Sequence, residues 1–345
     1  MTSPIRIGIV GLGRAGWGMH CPELQGREDK FRIVAACDLI PERRQRMAER
    51  YGCATYERIE DLVADPDVEL VDIATRSRDH FAHGMLALEA GKHVQMEKPM
   101  CVSYDQARRL VEASERSAGR LYVRHNRRFD PEFLQIREII DSGLLGNVFE
   151  IRLVRYGYQR RDDWQTLKSF GGGLLLNWGP HIVDHALRFL DGQVVDQFSF
   201  LERVAAVGDA EDHLKIVLRG AQGRVVDLEI SGGVASESPV YLVFGSRGSL
   251  EMVGEELHLR YLDPQQKLEA RFPNPGTPGE SYGEPEALVW VNETIPVRQG
   301  SGAVIWDALY AAIREGVPHP VRLDEALQVM QVISAAKEGT EFVTP

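Results

Sequence analysis

Cysteine is scarce in this chain: four residues in 345, at positions 21, 37, 53 and 101, with no Cys-x-x-Cys pair. That excludes a disulfide scaffold and a thiolate metal ribbon, and reads as four small reduced thiols. No run of about 18 uninterrupted apolar residues occurs, so no membrane-spanning helix is expected. Net positive charge is also missing. Forty Lys+Arg against 51 Asp+Glu leave −11, which argues against nucleic acid or an anionic membrane as the main partner. The composition of disorder is absent, because 43% of residues are apolar and only 26% are charged. The start, Met1-Thr2-Ser3-Pro4-Ile5-Arg6, carries no secretory pattern, so a cytoplasmic location is expected.

What is present divides into two parts. The first 130 residues hold 21 Lys+Arg and 20 Asp+Glu, whereas the remainder hold 19 and 31. The near-neutral part can host an anionic ligand without opposing its own field. It alternates strand and helix signals: Ile5–Val10, Phe31–Cys37, Leu70–Thr75, His93–Glu97 and Leu121–Val123 read as buried strands. Pro41–Tyr51, Asp79–Ala90 and Asp105–Ser117 read as helices, the last opened by a Ser103–Gln106 capping box. Short connections between them predict a parallel sheet with helices on both faces. After residue 125 the pattern changes. A helix from Pro131 to Ser142 precedes a long strand, Val148–Tyr158, and a glycine run at 171–173 opens a helix ending at Gly192. Successive strands follow to Val297, then helices Val304–Glu315 and Asp324–Glu338. Residues 273–286 read as a loop or flap. The expectation is an α/β Rossmann-type domain over 1–125 and an α+β domain with a large, mainly antiparallel open sheet over 126–345.

Gly11-Leu12-Gly13-Arg14-Ala15-Gly16 follows the first strand. The spacing alone is a weak signal, but the strand-loop-helix context strengthens it. The first glycine permits the turn, the second lets backbone approach a pyrophosphate, and the third lets helix pack on strand. The helix start then offers free N–H groups to phosphates. Asp38 stands 22 residues after Gly16, at the end of the second strand. A carboxylate there accepts from ribose hydroxyls and repels a 2′-phosphate, which favours NAD over NADP.

Glu97-Lys98-Pro99 ends another strand, on the edge where ligands of such sheets sit. A lysine there stabilises a developing alkoxide; the plain alternative is an exposed Lys-Pro turn. Asn177, His181, Asp184 and Arg188 share one helical face. His181 can exchange a hydroxyl proton at neutral pH, and Asn177 can orient the hydroxyl. A satisfied core histidine is the plain alternative. A metal held by His181 and His185 at i, i+4 is another, weakened by the lack of a catalytic Glu, so no metal is expected.

These segments resemble the Gfo/Idh/MocA family of NAD(P)-dependent oxidoreductases. The likeness runs through the glycine loop with Asp38, Ala90–Val94 into Glu97-Lys98-Pro99, Asn126-Arg127-Arg128-Phe129-Asp130-Pro131, Gly143–Gly146 and Gly171–His181. The turn Gly245–Leu250 and the segment Pro320–Ala326 continue it, so it covers essentially the whole chain. The resemblance implies a catalytic group of Lys98 and His181, with Asn177 where the family carries an aspartate. An amide orients a hydroxyl but takes no proton; Asp184 is the candidate for electrostatic compensation. The resemblance also implies that Thr75, His80 and Glu97 line the cofactor site together with Gly11, Leu12, Gly13, Arg14, Ala15, Gly16, Asp38 and Lys98. Arg128 and Trp164 join Asn177, His181 and Asp184 as candidate substrate residues. Homodimers or homotetramers through the C-terminal sheet are implied as well.

The expected activity is hydride transfer between NAD and a secondary hydroxyl of a sugar, sugar derivative or cyclic polyol. A glycoside lyase or hydrolase that oxidises its substrate transiently on bound NAD is the alternative kept open by Asn177. A non-catalytic nucleotide- or sugar-sensing regulator is the second, opposed by the retention of Lys98 and His181.

Overall fold

The computed structural model describes residues 3–190, 192–273, 275–276, 279 and 285–343. Its first sheet has six parallel strands: β1 (Ile5–Val10), β2 (Phe31–Cys37), β3 (Ala54–Tyr56), β4 (Leu70–Ile73), β5 (His93–Met96) and β6 (Leu121–Val123), in the order β3-β2-β1-β4-β5-β6. β1 is buried nearly throughout, as an interior strand covered on both faces must be. Its order reverses between β1 and β4, which places a crevice at the carboxyl ends of those strands. β3 and the helix Ile59–Ala64 carry too few periodic residues to have been expected. The capping box at the helix Tyr104–Arg116 is half as anticipated. Ser103 accepts from the Gln106 N–H, but the Gln106 side chain accepts from Val102 rather than from Ser103.

The second sheet has eight strands: β7 (Val148–Tyr156), β8 (Val194–Glu202), β9 (His213–Gly220), β10 (Val225–Ser231), β11 (Tyr241–Gly245), β12 (Gly248–Val253), β13 (Glu256–Leu262) and β14 (Trp290–Pro296). Their order is β14-β13-β12-β11-β7-β10-β9-β8. All pairs are antiparallel except β7 with β10, which run parallel in register from Glu150–Val225 to Tyr156–Ser231. Helices Gly179–Phe189 and Leu323–Lys337 pack together and cover one face. A continuous buried apolar cluster links this layer to the first sheet.

The expected border at residue 125 falls just after β6, but the closing helix crosses it. Ile305, Trp306, Leu309 and Tyr310 are packed with Ile5, Ile7, Ile9 and Phe31 of the first sheet. The expected helix Val304–Glu315 is an α-helix to Tyr310 followed by a wider π turn over Ala311–Glu315. The helix expected after the glycine run is interrupted at Trp178, into Leu174–Asn177 and Gly179–Phe189, where Pro180 supplies no N–H. The loop expected over 273–286 lies largely outside the described residues. Among the described residues no helix is long and apolar enough to cross a membrane.

Candidate active site

The three glycines meet different surroundings, and these suit a dinucleotide cradle. A Cβ at Gly11, whose φ is +91°, would lie 2.7 Å from the Ala74 carbonyl oxygen. One at Gly16 would lie 2.1 Å from the Gly11 carbonyl oxygen. At Gly13 a Cβ would meet only the tip of Arg43, at 3.7 Å. The first and third glycines are therefore required by the protein's own packing. The second faces open space, where a pyrophosphate would approach backbone. Arg14 is exposed on this turn and Ala15 half-buried beneath it. Asp38 is tied to the loop: Oδ2 accepts from Leu12 N at 2.8 Å and Oδ1 from Ile40 N at 2.9 Å. Arg43, itself partly exposed, lies beside the acid, 3.3 Å from Oδ2. Leu39 and Ile40 are 77% and 41% exposed, an apolar ledge suited to an adenine face.

The end of β5 is held by buried charge that the sequence reading did not find. His20 Nδ1 lies 2.6 Å from Asp72 Oδ2, and its Nε2 lies 3.0 Å from Glu97 Oε1. Arg124, fully buried, reaches the same Glu97 oxygen at 3.0 Å and pairs with Glu23, which also accepts from Trp306 Nε1 at 2.7 Å. Burial opposes charge on His20, but Asp72 and Glu97 outweigh it and raise its pKa to about 9. Burial likewise pushes Glu97 up, and His20 with Arg124 pulls it down to about 2. Glu97 is thus a structural anchor rather than an open cofactor contact. Its Oε2 accepts from the backbone N–H of Lys98 at 3.1 Å, which fixes where the lysine departs. The Lys98–Pro99 peptide is cis. His80 clamps this turn from beneath: Nδ1 lies 2.7 Å from Pro99 O and Nε2 3.2 Å from Thr75 O. Thr75 also meets His83 Nδ1 through its hydroxyl, at 3.1 Å. His80, expected to line the cofactor site, instead has both ring nitrogens committed to backbone.

Lys98 Nζ crosses to the second domain and donates to the Asn177 backbone carbonyl at 3.0 Å. Burial lowers its pKa, and Arg127, Arg14 and Arg124 add to this against Glu97. The Asn177 side chain turns elsewhere: Nδ2 donates to Gln165 Oε1 at 3.1 Å. That is a correction to the side-chain role expected of Asn177. Trp178, between the two helical segments, keeps helical dihedrals and bonds both ways, so the backbone runs on from Asn177 to His181. Trp164 is half-buried one residue before Gln165, which accepts from Asn177.

His181 is buried, its Nδ1 has no partner among the described residues, and its ring meets Trp178 edge-on at 5.9 Å. Burial holds its pKa well below 6.5, and the cations Lys98 and Arg127 reinforce this. A neutral imidazole with a free nitrogen is a ready proton acceptor. His185 is not a second ligand for a metal. Its ring nitrogens meet Tyr241 OH and Arg127 O, each at 2.9 Å, and it stacks on Phe133 at 4.0 Å.

Two expected substrate residues, Arg128 and Asp184, are paired with each other. Arg128 donates to Asp184 Oδ2 at 3.0 Å, to Pro320 O at 2.9 Å and to Glu325, and is buried. Asp184 is correspondingly occupied, and its charge acts on His125 and Arg128. The compensation expected from Asp184 is therefore not directed at His181, whose surroundings are cationic. Three other side chains gather around His181 and Trp178: His125, Arg127 and Arg155. His125 is buried with Nδ1 unpartnered, and burial pushes its pKa down to about 4. Arg127 and Arg155 each stack on Trp178, at 4.6 and 4.7 Å. One signal was available for Arg155. It shares strand parity with buried Ile151 and Leu153, an inward position unusual for arginine.

Comparison with known proteins gives the family. Residues 5–125 match the family described as "Oxidoreductase family, NAD-binding Rossmann fold", and residues 133–251 match the "GFO/IDH/MocA C-terminal domain". The chain is 32% identical to "Uncharacterized oxidoreductase YdgJ" of Escherichia coli (strain K12), across 99% of this chain and 98% of that one. It is 28% identical to "scyllo-inositol 2-dehydrogenase (NADP(+)) IolW" of Bacillus subtilis (strain 168), across 98% and 94%. An NAD-binding protein from Listeria innocua shares the fold with a TM-score of 0.82 at 24% identity, covering 99% of this chain and 98% of that one. With its glycine cradle, its Lys98 turn and its matched C-terminal sheet, the chain belongs to the Gfo/Idh/MocA oxidoreductase family and carries that family's NAD(P)-binding Rossmann domain.

Proposed function

We propose that this chain is a dehydrogenase that moves hydride between NAD(P) and a secondary hydroxyl of a sugar, sugar derivative or cyclic polyol. One observation carries the reading. Lys98, drawn over the domain border to Asn177 O at 3.0 Å, is near enough for its charge to help hold the buried His181 imidazole neutral. The similarity to an inositol dehydrogenase supports the substrate class.

The bound nicotinamide supplies the hydride acceptor. The hydroxyl proton passes to the His181 ring, which is neutral at pH 7 because burial holds its pKa well below 6.5. Lys98 donates to the same oxygen and stabilises the charge that develops as the C–H bond breaks and C=O forms. The reverse sequence reduces a ketone. Gln165, held by Asn177, and Trp164 line the substrate side. Asp38 favours NAD, because its carboxylate repels a 2′-phosphate, while Arg43 at 3.3 Å weakens that selection. The exposed Phe198 and Phe200 on β8 support assembly into homodimers or homotetramers through the open sheet face. Size-exclusion chromatography with light scattering tests that assembly, and a monomer contradicts it.

The test of the activity is a panel of sugars and inositols with NAD or NADP, followed for reduced nicotinamide and for cleavage products together. Reduced cofactor in proportion to ketone supports the proposal. Glycoside cleavage without reduced cofactor replaces it with the lyase reading.

A further inference from the structure

Arg155 is held in an unusual state. It lies on the inward face of β7 among buried residues, yet it forms no ion pair and no hydrogen bond among the described residues, and its Nε is buried without a partner. Its guanidinium instead rests on the Trp178 ring at 4.7 Å. Such stacking contributes about 0.5–2 kcal/mol and leaves the buried Nε without a hydrogen-bond partner. Arg127 stacks on the same ring at 4.6 Å, so two like charges converge there. Two acids lie in range of the pair, Asp130 and Glu132, and neither bonds Arg155. Asp130 bonds Arg127 at 2.9 Å, and burial raises its pKa to about 6. Glu132 and Asp130 act on Arg155 only through space. Lys98 adds a third cation, and the Glu97 beside it is already taken up by His20 and Arg124.

We infer that Arg127 and Arg155, gathered on Trp178 beside His181, form a carboxylate subsite, so that the substrate is an acidic sugar or carboxylated cyclic polyol rather than a neutral one. A planar carboxylate matches the fork of a guanidinium and would supply the partner that Arg155 lacks. The site is distinct from the cofactor cradle, where the polar contacts come from the Gly11–Gly16 loop, Asp38 and Arg43. Trp178 ties the carboxylate to the reacting hydroxyl, because the same ring packs 5.9 Å from His181. This inference rests on the dehydrogenase reading of the site and narrows its substrate class.

The test is calorimetric titration of the NAD-loaded protein with matched acid and neutral pairs: D-glucuronate and D-glucose, D-galacturonate and D-galactose, quinate and myo-inositol. At least one acid is expected to bind about tenfold or more tightly than its neutral partner. Arg155→Gln should abolish that preference, and Arg155→Lys should restore part of it, with NAD affinity and melting temperature unchanged in both. Three results overturn the inference: neutral members binding as well as or better than every acid, an acid preference that survives Arg155→Gln, or an Arg155→Gln protein that loses NAD affinity instead. Reduced nicotinamide formed from a neutral sugar, with no acid preference, sinks the carboxylate subsite and leaves the dehydrogenase reading standing. Acid binding that depends on Arg155 but yields no reduced cofactor with any member of the panel does the reverse.

Discussion

Lys98 Nζ is held 3.0 Å from the backbone carbonyl of Asn177, not from its side chain. The residue that stands in place of the family's aspartate thus contributes main chain to the lysine and an amide to Gln165. Asn177→Ala should therefore leave Lys98 in place and lower kcat/KM by about tenfold or less, the scale of one lost orienting contact. Lys98→Ala removes the charge on the reacting oxygen and should cost about 10²–10⁴-fold. Steady-state kinetics of both variants checks this. Equal losses would mean that the Asn177 side chain acts in the chemistry.

The glycine loop separates folding from binding. Gly16→Ala would drive a methyl to 2.1 Å from the Gly11 carbonyl oxygen, a backbone clash that cannot be relieved by a rotamer. It should destabilise the fold by about 3 kcal/mol or more. Gly13→Ala meets only the end of Arg43 at 3.7 Å, so the protein should fold normally but bind NAD at least about tenfold more weakly. Melting curves and NAD titrations distinguish the two. Normal NAD affinity in Gly13→Ala would move the pyrophosphate away from this loop.

The buried His20 network predicts a pH-dependent stability. The His20 pKa rises from 6.5 to about 9 on folding, so its contribution is complete below 6.5 and disappears as pH climbs through 9. At about 1.4 kcal/mol per unit, the term is on the order of 3 kcal/mol. Wild type and His20→Asn should differ most in urea midpoint near neutral or mildly acid pH, and the gap should narrow through pH 9. A gap independent of pH would mean that His20 is not charged in the native state.

Much of the fold was legible because its signals are local. Strand runs such as Ile5–Val10, the glycine loop and the Glu97-Lys98-Pro99 turn each carry their own chemistry. Short elements such as Ala54–Tyr56 were not, since three residues hold no period. Lys98 and His181 each sit in a motif that marks them in the sequence, whereas nothing local announces that Arg128 and Asp184 pair with each other. Both arginines of Arg127-Arg128 look alike in sequence, and the difference between them is tertiary. Arg128 finds Asp184 and Glu325 from distant helices, whereas Arg127 turns to Trp178. His20, Asp72 and Arg124 are spread over 104 positions and share no motif, so only folding brings them to Glu97.

The acid limb of turnover follows from the state of His181. Burial and the cations around it hold its pKa well below 6.5, so the base is already neutral at pH 7. The kcat/KM for oxidation should stay level as pH falls to about 6.5 and drop only in more acid solution. Lys98, lowered by burial, should bring any alkaline limb below the ordinary lysine range. A pH profile centred on an ordinary histidine titration would contradict the placement of His181 as the base.

The central claim is that hydride leaves a secondary carbon to NAD(P) at the Lys98–His181 cleft. Its most direct test uses the substrate found in the sugar and polyol panel, deuterated at the carbon to be oxidised, with wild type and Lys98→Ala compared by mass spectrometry of the reduced cofactor. The expected result is one deuterium transferred per ketone formed by wild type, and loss of transfer in Lys98→Ala with NAD binding retained. Ketone or cleavage product formed without label in the cofactor, or undiminished transfer by Lys98→Ala, would contradict it.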